Sequence, residues 1–336
     1  MQVDVILDAR ARASELAELG QLAEQHGVRG VWVSSLLDSR DPFTNLSVLA
    51  TSTTRILLGP VAVNPFDTHP VRIASAFLTL NELSAGRARI VIGGGGEALE
   101  ALDIKPLRRV RAVAECVEII STAATGQTVN YSGEIFTVNN LRLGWLEADA
   151  PPVFVGASMV QMLRMSARVA NGIMMSDMPV HLAAKAIATL DQSLKKQGRR
   201  RPEFQTNAFA AWHVYADREQ AMQEARQWLV LRGIFRPWVL GEFLDEKEVE
   251  LVMSSGAAFW NAFRSQSPLV EGVPDSVLDR MVENLTFVGG ITEIEKKADK
   301  LREFKAAGLN SIALRLYHDP AESIKLLGQR VLPALR

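Results

Sequence analysis

The chain has 336 residues, 48% hydrophobic and 22% charged, with 37 Lys+Arg against 38 Asp+Glu for a net charge of −1. That balance excludes the basic excess of a nucleic-acid binder, and no apolar stretch approaches the ~18 residues of a membrane span. The lone Cys116 excludes a disulfide framework and fits a reducing cytoplasm.

The rhythm along the chain is strand, then helix. MQVDVILDAR lacks the pattern of a signal peptide. Its β-branched run 3–8 predicts a strand, and apolar residues at helical spacing predict a helix over 13–27, with Ser14 as candidate N-cap and Gly27 as the stop. Strands then follow at 30–34, 55–63 and 88–93, alternating with helices at 42–53, 69–86 and 107–126. Cys116 sits on the apolar side of the last of these and reads as a small buried hydrophobe. Residues 128–138 give two short alternating runs about Ser132-Gly133, a hairpin. The pattern resumes with strand 152–157, helix 158–171, strand 172–176 and helix 181–198. The basic cluster Lys195 to Arg201 reads as a solvated end that complements the helix dipole. Strand 204–216 and helix 217–233 precede residues 234–285, which break the rhythm. These are rich in Trp and Phe, contain Pro237, Pro268 and Pro274, and predict several helices and a loop. Strand 285–290, helix 291–308, strand 310–317 and helix 320–335 close the chain.

Eight main strands, each followed by a helix and apolar enough to be buried on both faces, predict a parallel sheet. At this length eight such units predict a (β/α)8 TIM barrel. The whole of 1–336 is expected to be one domain, with a hairpin after the fourth helix and a helical insertion at 234–285. A doubly wound sheet would need a phosphate loop early in the chain, and residues 8–13 hold no glycine.

The run IVIGGGGEAL (90–99) raises the question of a nucleotide loop. Gly93, Gly95 and Ala98 fit G-x-G-x-x-A, yet the helix does not start within the motif and no acid-ended strand follows about 20 residues on. In a barrel the same run falls at the C-terminal end of strand four, on the face where active sites form, and glycines there let a flat ligand lie against backbone. GASMV (156–160) lacks the last glycine of a nucleophile elbow. The five histidines have no metal-ligand spacing, so no metal site is expected. His69, just before Pro70, reads as a helix cap ahead of an active-site group.

LLGPVAVNPFDTHPVRIASAFLTLNELSAGRARIVIGGGGEAL (57–99) resembles the luciferase-like flavin and deazaflavin oxidoreductase superfamily, most nearly its coenzyme F420-dependent group. GQTVNYSGEIF (126–136) and PPVFVGASMVQMLRMSARVANGIMMS (151–176) carry the same likeness. The resemblance implies an α/β barrel, a small organic substrate, F420 as cofactor with FMN as the alternative, and a homodimer. It implies a non-proline cis peptide at Val61–Ala62, where an ordinary trans strand end is the other reading. It places the cofactor against Val61, Ala62, Asn64, Gly94, Gly95, Glu100 and Ser176, and its phosphate at the backbone of Gly156, Ala157 and Ser158, with Ser158 equally a candidate N-cap. Glu97 takes the place of a substrate-facing acid. A carboxyl among apolar groups holds its proton nearer neutrality, while the other reading is a solvated loop acid. Ser35, Leu36, Asp38 and Arg40 are the expected substrate pocket. Ser35 and Leu36 stand where the family commonly has Asp-His, so the resemblance leaves three readings: F420-dependent hydride transfer, an FMN-dependent monooxygenase, or a flavin-binding member without turnover.

Overall fold

The computed structural model describes residues 1–146 and 149–335, with residues 97 and 98 described by their backbone alone. The first half alternates β1 (Gln2–Leu7), α1 (Ala13–Gln25), β2 (Gly30–Ser34), α2 (Pro42–Ser52), β3 (Leu57–Val61), α3 (Pro70–Leu83), β4 (Ile90–Ile92) and α4 (Arg109–Ala123). A 3-10 turn, Glu97–Leu102, sits between β4 and α4. The antiparallel hairpin β5 (Val129–Ser132) and β6 (Thr137–Leu141) follows. Next come β7 (Val153–Gly156), α5 (Val160–Val169), β8 (Gly172–Ser176), α6 (Val180–Lys196) and β9 (Gln205–Tyr215). A helical stretch then runs through α7 (Arg218–Gln227), α8 (Pro237–Leu240), α9 (Glu246–Ser254), α10 (Gly256–Arg264) and α11 (Asp275–Leu285). It returns at β10 (Thr286–Gly290), and α12 (Ile294–Ala306), β11 (Ser311–Leu316), α13 (Pro320–Leu326) and α14 (Leu332–Ala334) end the chain.

The eight strands expected from the sequence form one parallel sheet in the order β3-β2-β1-β11-β9-β8-β7-β4. Parallel bridges Leu58–Ala88 and Val63–Ile92 join its two edges, so the sheet closes into a (β/α)8 barrel. At the seam β3 and β4 approach so closely that a Cβ on Gly59 would lie 1.8 Å from the Arg89 carbonyl oxygen. Strands three and four are shorter than expected because pairing at their ends is reduced to those isolated bridges. β10 is a further strand, paired in parallel with Ala211–Tyr215 of β9. The final helix is not one rod: a π turn at Leu327–Val331 separates α13 from α14.

The barrel interior is layered. At the N-terminal end Asp4 accepts from Arg29 Nε and Nη2, each at 2.8 Å, from Trp32 Nε1 at 2.9 Å and from Arg89 Nη2 at 3.5 Å. Above it Ile6, Trp32, Val61, Val91, Phe154, Met174 and Ala313 pack as an apolar plug. The helices bury their inner faces against the outside of the sheet, Cys116 among them. Burial pushes the Cys116 thiol far up, which leaves it unreactive. The basic cluster is less solvated than expected. Arg199 donates to the Ala167 and Ala170 carbonyls, and Arg201 to those of Phe204 and Gly308, clamping the turn into β9. Among the described residues no helix is long and apolar enough to cross a membrane, and no group of three His, Cys, Asp or Glu could hold a metal ion.

Candidate functional site

The apolar plug stops short of the C-terminal strand ends and leaves a cavity of ≈410 Å³ above it. Seven strands wall it with one residue apiece: Ile6, Ser34, Val61, Val91, Gly156, Phe209 and Arg315. β8 adds Met174 and Ser176. A second lobe of ≈570 Å³ shares Ser35, Leu36, Ala62 and Leu231 with the first and runs over Gly93–Gly96 to Leu99. Val230, Gly233 and Trp260, from the stretch after β9, roof it. Both lobes have the size of small-molecule sites, mostly apolar with a few convergent polar groups.

The Val61–Ala62 peptide bond is cis, at the position expected, and both residues face the first lobe. The glycine run beside them, whose first amide donates to the Val63 carbonyl at 2.8 Å, is constrained. A Cβ on Gly93 would lie 3.0 Å from that of Ala62, and Gly95 holds φ +73° with Leu99 Cδ1 2.4 Å from where its Cβ would be. Bare backbone therefore faces the cleft, and only the 3-10 turn from Glu97 follows it. The Glu97 side chain lies outside the described residues.

The other expected site residues divide. Ser35, Leu36, Val61, Ala62, Asn64, Gly94, Gly95, Gly156, Ala157, Ser158 and Ser176 are brought to the two lobes. Asn64, however, is occupied within its own turn: Nδ2 donates to Asp67 Oδ2 at 2.7 Å and Oδ1 accepts from the Phe66 and Asp67 amides. Glu100 is exposed on the 3-10 turn, away from the described cavity lining. Asp38 and Arg40 are also drawn away. Asp38 pairs with the Arg10 guanidinium and Arg40 donates to the Arg10 carbonyl, because the loop after β2 folds onto the loop after β1. The Ala157 amide donates to the Met174 carbonyl at 3.1 Å, so sheet pairing takes it from any anion. Ser158 is not the cap of α5; that position is Met159, and no side chain caps the helix. Its first-turn amides stay without intrahelical partners, and the Arg109 side chain and Met162 Cε both lie within 4 Å of where a Cβ on Gly94 would be. His69 is a cap, accepting from the Val71 amide at 3.2 Å through Nδ1.

Two arginines escaped the sequence reading. Arg315 of β11 donates to Ser34 Oγ at 2.6 Å, and Arg232 meets Asp177 Oδ1 at 3.2 Å. Burial pushes the Asp177 carboxyl above its ordinary value although Arg232 and Arg236 pull it back. Behind them His213 stacks on Tyr317, centroids 4.5 Å apart, and its Nδ1 lies 2.7 Å from Glu224. Burial holds the His213 imidazole below its ordinary value against the pull of Glu224, so the ring is neutral near pH 7. The one signal for Arg315 was a charge within a strand whose other residues are short or apolar; Arg232 follows no periodic pattern.

A family model described as luciferase-like monooxygenase matches residues 1–311. The 5,10-methylenetetrahydromethanopterin reductase of Archaeoglobus fulgidus is 32% identical over 332 residues, spanning 96% of each chain. An F420-dependent glucose-6-phosphate dehydrogenase of Nakamurella multipartita is 26% identical, covering 96% of this chain and 93% of its own. In structure, the coenzyme F420-dependent tetrahydromethanopterin reductase of Methanopyrus kandleri superimposes with a TM-score of 0.84 at 21% identity, over the whole of both chains.

Proposed function

The chain belongs to the luciferase-like monooxygenase family, and from that premise we propose that it is an F420-dependent oxidoreductase moving a hydride between the deazaflavin and a small organic substrate. The observation that carries this reading is the cavity at the strand ends, one side of which is the Val61–Ala62 backbone and the adjoining bare glycines, where a flat ring can lie. The residues fit the cofactor at a second point. The uncapped start of α5 suits a phosphate. Gly156 and Ser158 are its proposed neighbours, and Val61, Ala62, Gly94, Gly95 and Ser176 the proposed surround of the ring. The Ala157 amide is spent in the sheet, and it serves through its position in the wall alone.

Bound F420 supplies the hydride chemistry; the chain supplies position, dryness and proton handling. The apolar plug excludes water from below and Leu231 with Trp260 from above. Glu97, at the lip of the glycine run, is the proposed acid, and Ser35 and Leu36 the proposed substrate contacts. The cell compartment in this reading is the cytoplasm and the assembly a homodimer.

Titration of the purified protein with F420 and with FMN tests the reading. F420 is expected to bind and FMN not. Tight FMN binding without F420 affinity overturns it in favour of a monooxygenase, and F420 binding with no turnover of any substrate favours a member without catalysis. Glu97→Gln is expected to lower kcat by roughly 10²-fold at unchanged cofactor affinity; unchanged turnover removes Glu97 from the mechanism.

A further inference from the structure

We propose that one side of the first lobe is an anion subsite, formed by Arg315 and Arg232 with Ser34, that takes a carboxylate borne by the substrate. Its assignment to the substrate rests on the hydride-transfer reading; the anion site itself does not.

Arg315 is 8% exposed in a strand buried along its whole length. Among the described residues its guanidinium meets Ser34 Oγ but no carboxylate within 4.0 Å, and its Nε has no partner. Arg232 is 4% exposed, shares Asp177, and has an unpartnered Nε. The Tyr317 ring lies between them, 5.4 Å from Arg315 Cζ and 5.9 Å from Arg232 Cζ, and its buried hydroxyl is also unpartnered. Arg236 adds a third guanidinium, tied to the carbonyls of Ser176, Asp177, Arg232 and Gly233. Against these stand Asp177 and, beyond His213, Glu224. Three cations thus outnumber two carboxylates.

A buried guanidinium without a counter-charge is costly, and an arriving anion relieves that cost. Of the three, Arg232 and Arg315 line the cavity. The planar fork of arginine matches a carboxylate. Ser34 accepts from Arg315, so its own proton remains free to donate to the same ligand. Ile6, Met174 and Phe209 surround the position, which calls for a carboxylate on a compact apolar body.

Calorimetric titration of the protein with butyrate and benzoate, against butyramide and benzamide at fixed ionic strength, tests this with and without saturating F420. The carboxylates are expected to bind and the amides to bind about tenfold more weakly or worse. Arg315→Met is expected to lose about tenfold or more in carboxylate affinity, and Arg315→Lys to keep part of it; Ser34→Ala carries the test where Arg315→Met fails to fold. Equal binding of amides, no carboxylate binding, or full carboxylate affinity in Arg315→Met overturns the subsite. Displacement of butyrate by F420 overturns its assignment to the substrate. F420 affinity is read separately from cofactor fluorescence. A protein that binds carboxylates but not F420 keeps the subsite and loses the hydride-transfer reading.

Discussion

Removing the charge of Asp4 leaves the Arg89 guanidinium buried at the barrel floor with only its cation–π contact to Trp32, 4.8 Å from the ring centroid. Asp4→Asn is therefore expected to cost roughly 3–5 kcal/mol in urea unfolding. The same residue gives a pH signature. Burial alone would raise its pKa, but Arg89 and Arg29 outweigh that and bring it to about 2 from an ordinary 3.8. A lowered folded-state value means the contribution is whole above pH 3.8 and is lost as pH falls through about 2; Asp4→Asn flattens the stability curve in that window. At this scale the sequence was readable where a residue acts locally, as with His69, whose neighbour Pro70 announces a helix start. It was not readable for Arg232 and Arg315. They sit 83 positions apart and become neighbours only because β11 pairs with β9, which brings it beside the segment that follows β9. Asp38 and Arg40 failed for the same reason in reverse, since Arg10, distant in sequence, captures them.

Within elements, the glycine run separates two demands that look identical in sequence. Gly95 holds positive φ and crowds Leu99, whereas nothing lies within 4 Å of a Cβ on Gly96. Gly95→Ala is expected to cost about 1–2 kcal/mol and Gly96→Ala less than about 0.5 kcal/mol, measured by urea unfolding. Lys300 of α12 ties three elements: its Nζ donates to the Glu283 carbonyl in α11 at 3.2 Å and the Thr286 carbonyl in β10 at 3.0 Å. Burial lowers its pKa to about 8 from 10.5. Between those values the unfolded chain binds the extra proton, so stability rises with pH from about 8 to 10.5. Lys300→Met is expected to abolish that rise. Helix ends such as that of α5 were misplaced by two residues because no side chain caps its first turn.

Across the molecule, the eight strands were legible because strands buried on both faces read as continuous apolar runs. The roof of the cleft was not, because it comes from residues 230–260, where no period repeats. A ligand that binds only the folded barrel stabilises all of it. At a hundred times its Kd, F420 is expected to add about 2.7 kcal/mol and raise Tm by about 2–4 °C in a thermal scan. FMN at equal concentration is expected to leave Tm unchanged, and a rise with FMN alone sinks the cofactor assignment.

The long excursion from β9 to β10 leaves the barrel and comes back to the same wall, since its two flanking strands pair with each other from Thr286–Ala211 to Gly290–Tyr215. Its ends are thereby stitched together like the mouth of a purse, while its middle carries Trp260 over the cleft. The helices between the stitches remain part of the fold, since α7 packs on β9 and β10, α11 packs on β10, and Ala221, Met222, Leu278 and Met281 are buried in the common core. Selection for a new substrate can act there on the side chains that face the cleft, Leu231 and Trp260, while the buried ones hold the excursion to the barrel.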